Sequence, residues 1–191
     1  MPRLAALVLL LLLAACGPAM VEADVTRFTT LPPGGGHSFT ILPDSAQRGS
    51  LEFQHYAELV AAQLGRRGWQ PLPAGNGAAM VVLLHWGAGP PATTLWTDPE
   101  PEWYGPGPGP WGPPYGATYA VTVWPKWLEV EVVDGPAWRQ GDKRQVWQGK
   151  AITGGSQPSI AVAMPALVRA LFTGFPGRNG ETVRVSVPED N

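Results

Sequence analysis

Residues 118–134 read TYAVTVWPKWLEVEVVD. In the first half Tyr119, Val121 and Val123 alternate with Thr118, Ala120 and Thr122; in the second, Leu128, Val130 and Val132 alternate with Glu129 and Glu131. A two-residue apolar period marks a strand with one dry face and one wet face. Pro125-Lys126 between the two predicts a turn, so the stretch reads as an antiparallel hairpin. After a loop through Gly135 and Gly141, RQVWQGKAI (144–152) reads as a third strand of the same meander. Such a meander commits this part of the chain to antiparallel sheet and leaves a dry face to be covered.

Two segments supply the cover. In SLEFQHYAELVAAQLGRRGW (50–69), Phe53, Tyr56/Ala57, Val60 and Leu64 recur at spacings of three and four, which is one apolar stripe of a helix. Ser50 is placed to cap its first turn, Glu52 sits near the positive end of the dipole, and Arg66, Arg67 and Gly68 close it. The second helix opens at Pro158-Ser159, carries Ile160, Met164, Leu167/Val168 and Leu171 on one stripe, and stops at Phe175-Pro176-Gly177. Pro165 inside it predicts a kink or a restart.

Outside these, VTRFTT (25–30), SFTIL (38–42) and TVRVSV (182–187) read as short strands. AAMVVLLHW (78–86) is almost continuously apolar and suits a central strand buried on both faces. From Gly87 to Gly116 the chain is dominated by glycine and proline, as in WYGPGPGPWGPPYG (103–116). That composition sustains neither helix nor ladder, so 87–116 is expected to be an extended loop. The predicted class is α+β: a two-layer sandwich, with a mostly antiparallel sheet of about five or six strands and two helices on one face.

The N-terminus asks for a different reading. After Arg3, Leu4–Ala15 is an unbroken apolar run, too short to span a bilayer and right for a signal sequence. It ends Leu13-Ala14-Ala15 directly before Cys16, the one cysteine of the chain. This resembles the lipobox of bacterial lipoproteins. The resemblance implies cleavage of residues 1–15, acylation at Cys16 and anchoring by several acyl chains. Residue 17 is Gly, not the Asp that marks inner-membrane retention in such lipoproteins, so the resemblance implies the outer membrane, with the domain facing the periplasm. Residues 16–23 are then expected to be a tether and 24–191 a single domain. The chain holds 13 basic and 15 acidic residues; without Arg3 the balance is 12 against 15, or −3, which argues against a nucleic-acid partner.

The segments 50–69, 78–86, VWQGKAITGG (146–155) and MPALVRALFTGFPGRNGETVRVSV (164–187) together resemble domain-of-unknown-function family 4136, found in bacterial lipoproteins. The similarity runs over about 24–187. It implies the α+β fold and an envelope location, and brings no catalytic residues with it.

The residues themselves point to no enzyme and no cofactor. His37, His55 and His85 show no metal-ligand spacing. Ser156, in GGSQP, reads as chemistry of a helix start, and the Gly154-Gly155 pair before that helix is a weak anion cradle. Glu129 and Glu131 share a strand face, and a solvated face explains them better than acid–base work. The 87–116 loop carries Trp96, Trp103, Tyr104, Trp111 and Tyr115, aromatics that suit docking to a protein or stacking on a sugar. The expected role is contact within the envelope, with a protein partner first, a glycan or peptidoglycan ligand as the alternative, and a hydrolase ranked last.

Overall fold

The computed structural model describes residues 19–31, 36–97 and 118–189. Along the chain these form β1 (Met20–Thr29), β2 (Ser38–Ile41), α1 (Leu51–Gly65), β3 (Gln70–Pro71), β4 (Met80–Ala88), β5 (Ala92–Thr97), β6 (Thr118–Val123), β7 (Lys126–Asp134), α2 (Gly135–Arg139), β8 (Gln145–Thr153), α3 (Ile160–Phe172) and β9 (Glu181–Pro188). The class is α+β, as predicted, but the sheet is larger and mixed. Seven strands lie in the order β3-β2-β4-β7-β8-β1-β9, and β2 runs parallel to both β3 and β4. Because α1 intervenes between β2 and the strands that flank it, the chain returns in the same direction, and a helical crossover makes parallel neighbours where a tight turn makes antiparallel ones.

The predicted hairpin of 118–124 with 128–134 does not form. Both segments are strands, but β6 pairs with β5 and β7 pairs with β4, each antiparallel. At Trp124-Pro125 the chain runs on from a two-stranded ribbon into the main sheet without reversing. Opposite this junction lies the matching break Gly89-Pro90-Pro91, and the Gly89 N–H donates to the Pro125 carbonyl at 2.8 Å. The 87–116 loop is shorter than its composition suggested, since residues 92–97 are strand; residues 98–117, which join β5 to β6, lie outside the described residues.

Other expectations shift in detail. β1 begins at Met20, so residues 20–23 belong to the sheet rather than to a tether; Ala23 is buried, and Met20–Ala23 pair with Val185–Pro188 of β9. Residues 135–139 form a helix where a loop was expected. Asp134 Oδ1 accepts the Ala137 N–H at 2.8 Å, and Pro136 fits the first turn, which needs no N–H there. α3 passes through Pro165 without a restart, and Ala161, whose carbonyl would have bonded the missing N–H, is exposed to water.

The strand alternation otherwise lands as read. Leu128, Val130 and Val132 are fully buried, and Val82 and Leu84 join them from β4. Phe53, Tyr56, Val60 and Leu64 of α1 and Met164, Leu167 and Leu171 of α3 close the same core, so both long helices cover one face. Ser50 Oγ accepts the Phe53 N–H at 3.2 Å, the cap its position promised. On the opposite face Val81, Leu83 and Val133 form a small second core under Leu42 and Trp138, which makes β4 a strand buried on both sides.

Asp134 gives the fold an acid-sensitive cap. The Ala137 N–H holds its carboxyl below the usual value, against the opposing effect of desolvation, with Arg144 and Arg139 adding to the lowering. Its folded pKa lies below its unfolded one, so its contribution is complete above the unfolded value, about 4, and is lost as pH falls through the folded value. Urea midpoints taken from pH 7 to pH 2.5 should fall less steeply for Asp134→Asn, which keeps a capping oxygen but does not titrate. Identical slopes would show that the carboxylate carries none of the acid sensitivity.

Candidate functional site

β5 and β6 form a ribbon of their own beyond the main sheet, and their ladder runs from Ala92↔Val123 to Thr97↔Thr118. Strand propensity explains it locally. Threonine in both strands and valine in β6 favour the extended backbone, and Thr93 with Thr122 and Thr97 with Thr118 stand as cross-strand hydroxyl pairs at 3.3 and 2.9 Å. Among the described residues neither outer edge of this ribbon is paired, and two strands cannot bury an apolar face by themselves. Here Leu95 is 76% exposed and Tyr119 45% exposed.

At the base of this arm is a cleft of about 790 Å³. Val121, Val123 and Pro125 form its arm side; Met20, Asp24 and Ile152 face them from the ends of β1 and β8. Arg184 reaches across β1 and donates from Nε to Asp24 Oδ1 at 3.0 Å, and this hydrogen bond with Asp24's charge raises the guanidinium's pKa. The pair is exposed and adds orientation more than stability. The cleft mixes apolar and charged lining and runs beside β6, whose outer edge is unpaired among the described residues; an extended segment could add there as a strand.

The open face of the main sheet holds the paired carboxylates. Glu129 accepts from Gln148 Nε2 at 2.6 Å and lies 3.2 Å from Lys150 Nζ, which in turn sits 4.8 Å from the centre of the Trp127 ring. Burial works to raise the Glu129 pKa, and the hydrogen bonds from Gln148 and Lys150, with the charges of Lys150 and His85, outweigh it, so the group ends below its usual value. Glu131 is paired with Lys143 at 2.9 Å. Each carboxylate is thus committed to a cation, but Glu131 is buried opposite Leu83, so the expected solvated face does not extend to it, and the lowered pKa of Glu129 is the opposite of what a general acid needs.

The histidines lie apart in the fold. His37 stands edge-on to Trp69 at 5.0 Å, His55 is exposed on α1 as its position between stripe residues suggested, and His85 on β4 is opposite Glu129 of β7. Among the described residues no group of three or more His, Cys, Asp or Glu is placed to hold a metal ion. No helix among them is long and apolar enough to cross a membrane. Of the aromatics expected to bind, Trp96 lies in β5 with its backbone opposite Tyr119. Trp103, Tyr104, Trp111 and Tyr115 fall outside the described residues, as does Cys16. Sequence reading missed Arg184 as a cleft residue, because β9 alone does not reveal that Asp24 lies beside it.

An α+β domain with a mixed seven-stranded sheet, two long helices on one face and a projecting ribbon is the class this geometry defines. Residues 23–177 match the family described as a domain of unknown function, DUF4136, and the chain belongs to that family. No curated protein matches the chain in sequence. Among solved structures it is similar to a PDZ domain protein from Parabacteroides distasonis, with 10% identity over 90% of this chain and 40% of that one, at a TM-score of 0.49. It is also similar to a PelC dodecamer from Paraburkholderia phytofirmans, with 11% identity over 82% of this chain and 99% of that one, at a TM-score of 0.42.

Proposed function

We propose that this chain is a bacterial lipoprotein anchored through Cys16 in the outer membrane, and that its periplasm-facing domain acts by contact rather than by catalysis. The contact element is the β5–β6 arm. The observation that supports this is the exposure of Leu95 and Tyr119 on a ribbon whose edges are unpaired among the described residues, a surface that gains by being covered. The partner in this reading is another envelope protein that supplies an extended strand to the arm and fills the cleft at its base. The lipobox resemblance at Leu13–Cys16 supports the anchor.

The test is a photocrosslinking residue placed at position 95 or 119 in cells. The expected result is one discrete protein adduct from the arm, lost when Tyr119→Lys or Leu95→Asp is added at the other position. Absence of any adduct from either site would remove the contact reading. Cys16→Ser should release the chain from the membrane fraction, and a variant that stays bound would refute the anchor. The glycan alternative predicts instead that purified sacculi retain the wild type and lose Trp103→Ala and Trp111→Ala; equal retention of all three rejects it.

A further inference from the structure

β7 opens on a lysine in phase with its buried positions. Lys126 is 3% exposed, in the same inward row as Leu128 and Val130. Among the described residues its Nζ donates to one acceptor, the Trp124 carbonyl, over a long 3.4 Å. No carboxylate of those residues lies within salt-bridge distance of it. An ammonium brings three donors and a full charge, and burying it without a counter-ion is strongly unfavourable. Burial pulls the Lys126 pKa down.

The space in front of the ammonium is the start of α3. A side chain at Gly155 would bring its Cβ within 3.3 Å of Nζ, so the glycine leaves room beside the charge. The chain then reaches Ser159, the N-cap of a 13-residue helix, whose hydroxyl makes no capping bond. The first-turn N–H groups therefore lack the side-chain acceptor that a cap normally supplies. A recess of about 140 Å³ brings Lys126 together with Gly154, Gly155, Ser156, Ser159 and Val162. Two independent features thus meet in one place: a helix N-terminus whose N-cap side chain makes no capping bond, and a buried cation with no ion-pair partner among the described residues.

We propose that this recess binds a phosphate group, held by the Lys126 ammonium and by backbone N–H donors of the 154–156 loop and the first turn of α3. Tetrahedral oxyanions suit such a cradle because several oxygens can accept at once. Glu189 also borders the recess. Its carboxylate disfavours a dianion and suits a monoanionic phosphate or a phosphodiester with its own cation, as in a phosphatidylethanolamine headgroup. The recess lies at the end of the sheet where β1 starts, with Met20 and Val162 exposed beside it. Only a short link joins Cys16 to Met20, with a reach of at most about 14 Å. On the anchored reading, therefore, the phosphate of a membrane lipid headgroup lies within range. That choice of source rests on the anchor, whereas the site itself does not.

The test uses the purified full chain at pH 6 in non-ionic, phosphate-free micelles, titrated with inorganic phosphate and with the phosphodiester glycerophosphoethanolamine at constant ionic strength. At a hundredfold excess over Kd the wild type should gain about 5–10 °C in Tm. The amide signals of Ala161 and Val162 should shift with the same affinity. Lys126→Met keeps the volume and removes the charge. It should show no phosphate response, and without phosphate it should be at least as stable as the wild type, since an unpaired buried charge has gone. No response in the wild type, an equal response in the variant, or a variant that is destabilised or unfolded without phosphate would each overturn the site. Nanodiscs of phosphatidylethanolamine and of a phosphate-free galactolipid separate the sources. A Val162 shift in the first alone assigns the headgroup; a shift with soluble phosphate but in neither bilayer overturns the headgroup and leaves a soluble phosphate ester. Intact mass at Cys16 reports independently on the anchor.

Discussion

Trp147→Ala should lower the unfolding free energy by about 3–5 kcal/mol, the range for removing a buried large aromatic. Trp147 is 1% exposed and is the largest fully buried side chain. Its ring stacks on Phe172 at 5.9 Å and tilts against Phe175 at 5.1 Å, tying α3 and the segment after it to β8. Its Nε1–H donates to the Pro176 carbonyl at 2.8 Å, so truncation also leaves that acceptor without its partner. The space for the ring comes from Gly149, the next position along the same face of β8. A Cβ there would lie 2.3 Å from Trp147 Cη2 and 2.9 Å from Leu171 Cδ1. Gly149→Ala should therefore cost about 1–3 kcal/mol by overpacking. The two sites must be coupled. In a Trp147→Phe background the clashing benzo-ring atoms are absent, and Gly149→Ala should cost clearly less than in the wild type. Urea midpoints of the four proteins give the cycle, and additive costs would show that the indole is not what keeps residue 149 a glycine.

Arg27→Met should cost about 3 kcal/mol, the scale for leaving several buried acceptors unpaired, and Arg27→Lys should recover little of it. Arg27 is 4% exposed, on the inward face of β1 in phase with Ala23 and Val25. Its Nε donates to the Leu171 carbonyl at 3.1 Å, and its Nη2 donates to those of Ala170 and Thr173 at 3.2 and 2.6 Å. These acceptors belong to the C-terminal end of α3, where carbonyls have no intrahelical partner and the dipole is negative. Arg67 assists from the end of α1 by donating to the Phe172 carbonyl, and its guanidinium lies 5.4 Å from the Phe172 ring. Burial pulls the pKa of Arg27 down, Glu181 works against that, and the guanidinium keeps its charge wherever the protein is folded. A planar fork serves three carbonyls at once; a lysine ammonium, a single nitrogen, cannot span them. Gly177 completes the arrangement. At φ +82° it adopts a backbone that disfavours side chains, and a Cβ there would meet Arg27 Cδ at 2.7 Å. Urea denaturation decides the matter: an Arg27→Lys protein within about 0.5 kcal/mol of wild type, the spread of neutral surface changes, would refute this account of the cap.

The phosphate recess and the Arg27 cap share a lesson about legibility. Both depend on a cation at an inward strand position. Counting back by two from Leu128 puts Lys126 in the buried row, and counting on from Val25 does the same for Arg27. Alternation thus held a signal for both, masked in one case by Pro125, which suggested a turn, and in the other by the habit of reading arginine as exposed. What neither strand contained was the partner. The carbonyls of Ala170, Leu171 and Thr173 belong to a helix near the other end of the chain from Arg27, and all of α2 and β8 intervene between Lys126 and the first turn of α3.

The amino-acid sequence by itself determined most of the elements, their inward faces and the α+β class, because period, caps and proline act over a short span and need no distant partner. It also placed the family match, which lies in the same local patterns. The tertiary structure alone decided which strands became neighbours. Residues 118–123 alternate as well against β5 as they would against β7, since a strand's period specifies a face and not a partner. The parallel placement of β2, the arm that leaves the sheet at Pro125, and the meeting of Lys126 with the start of α3 all follow from how the chain closes over long separations, where packing and loop closure choose among pairings that local chemistry leaves equal.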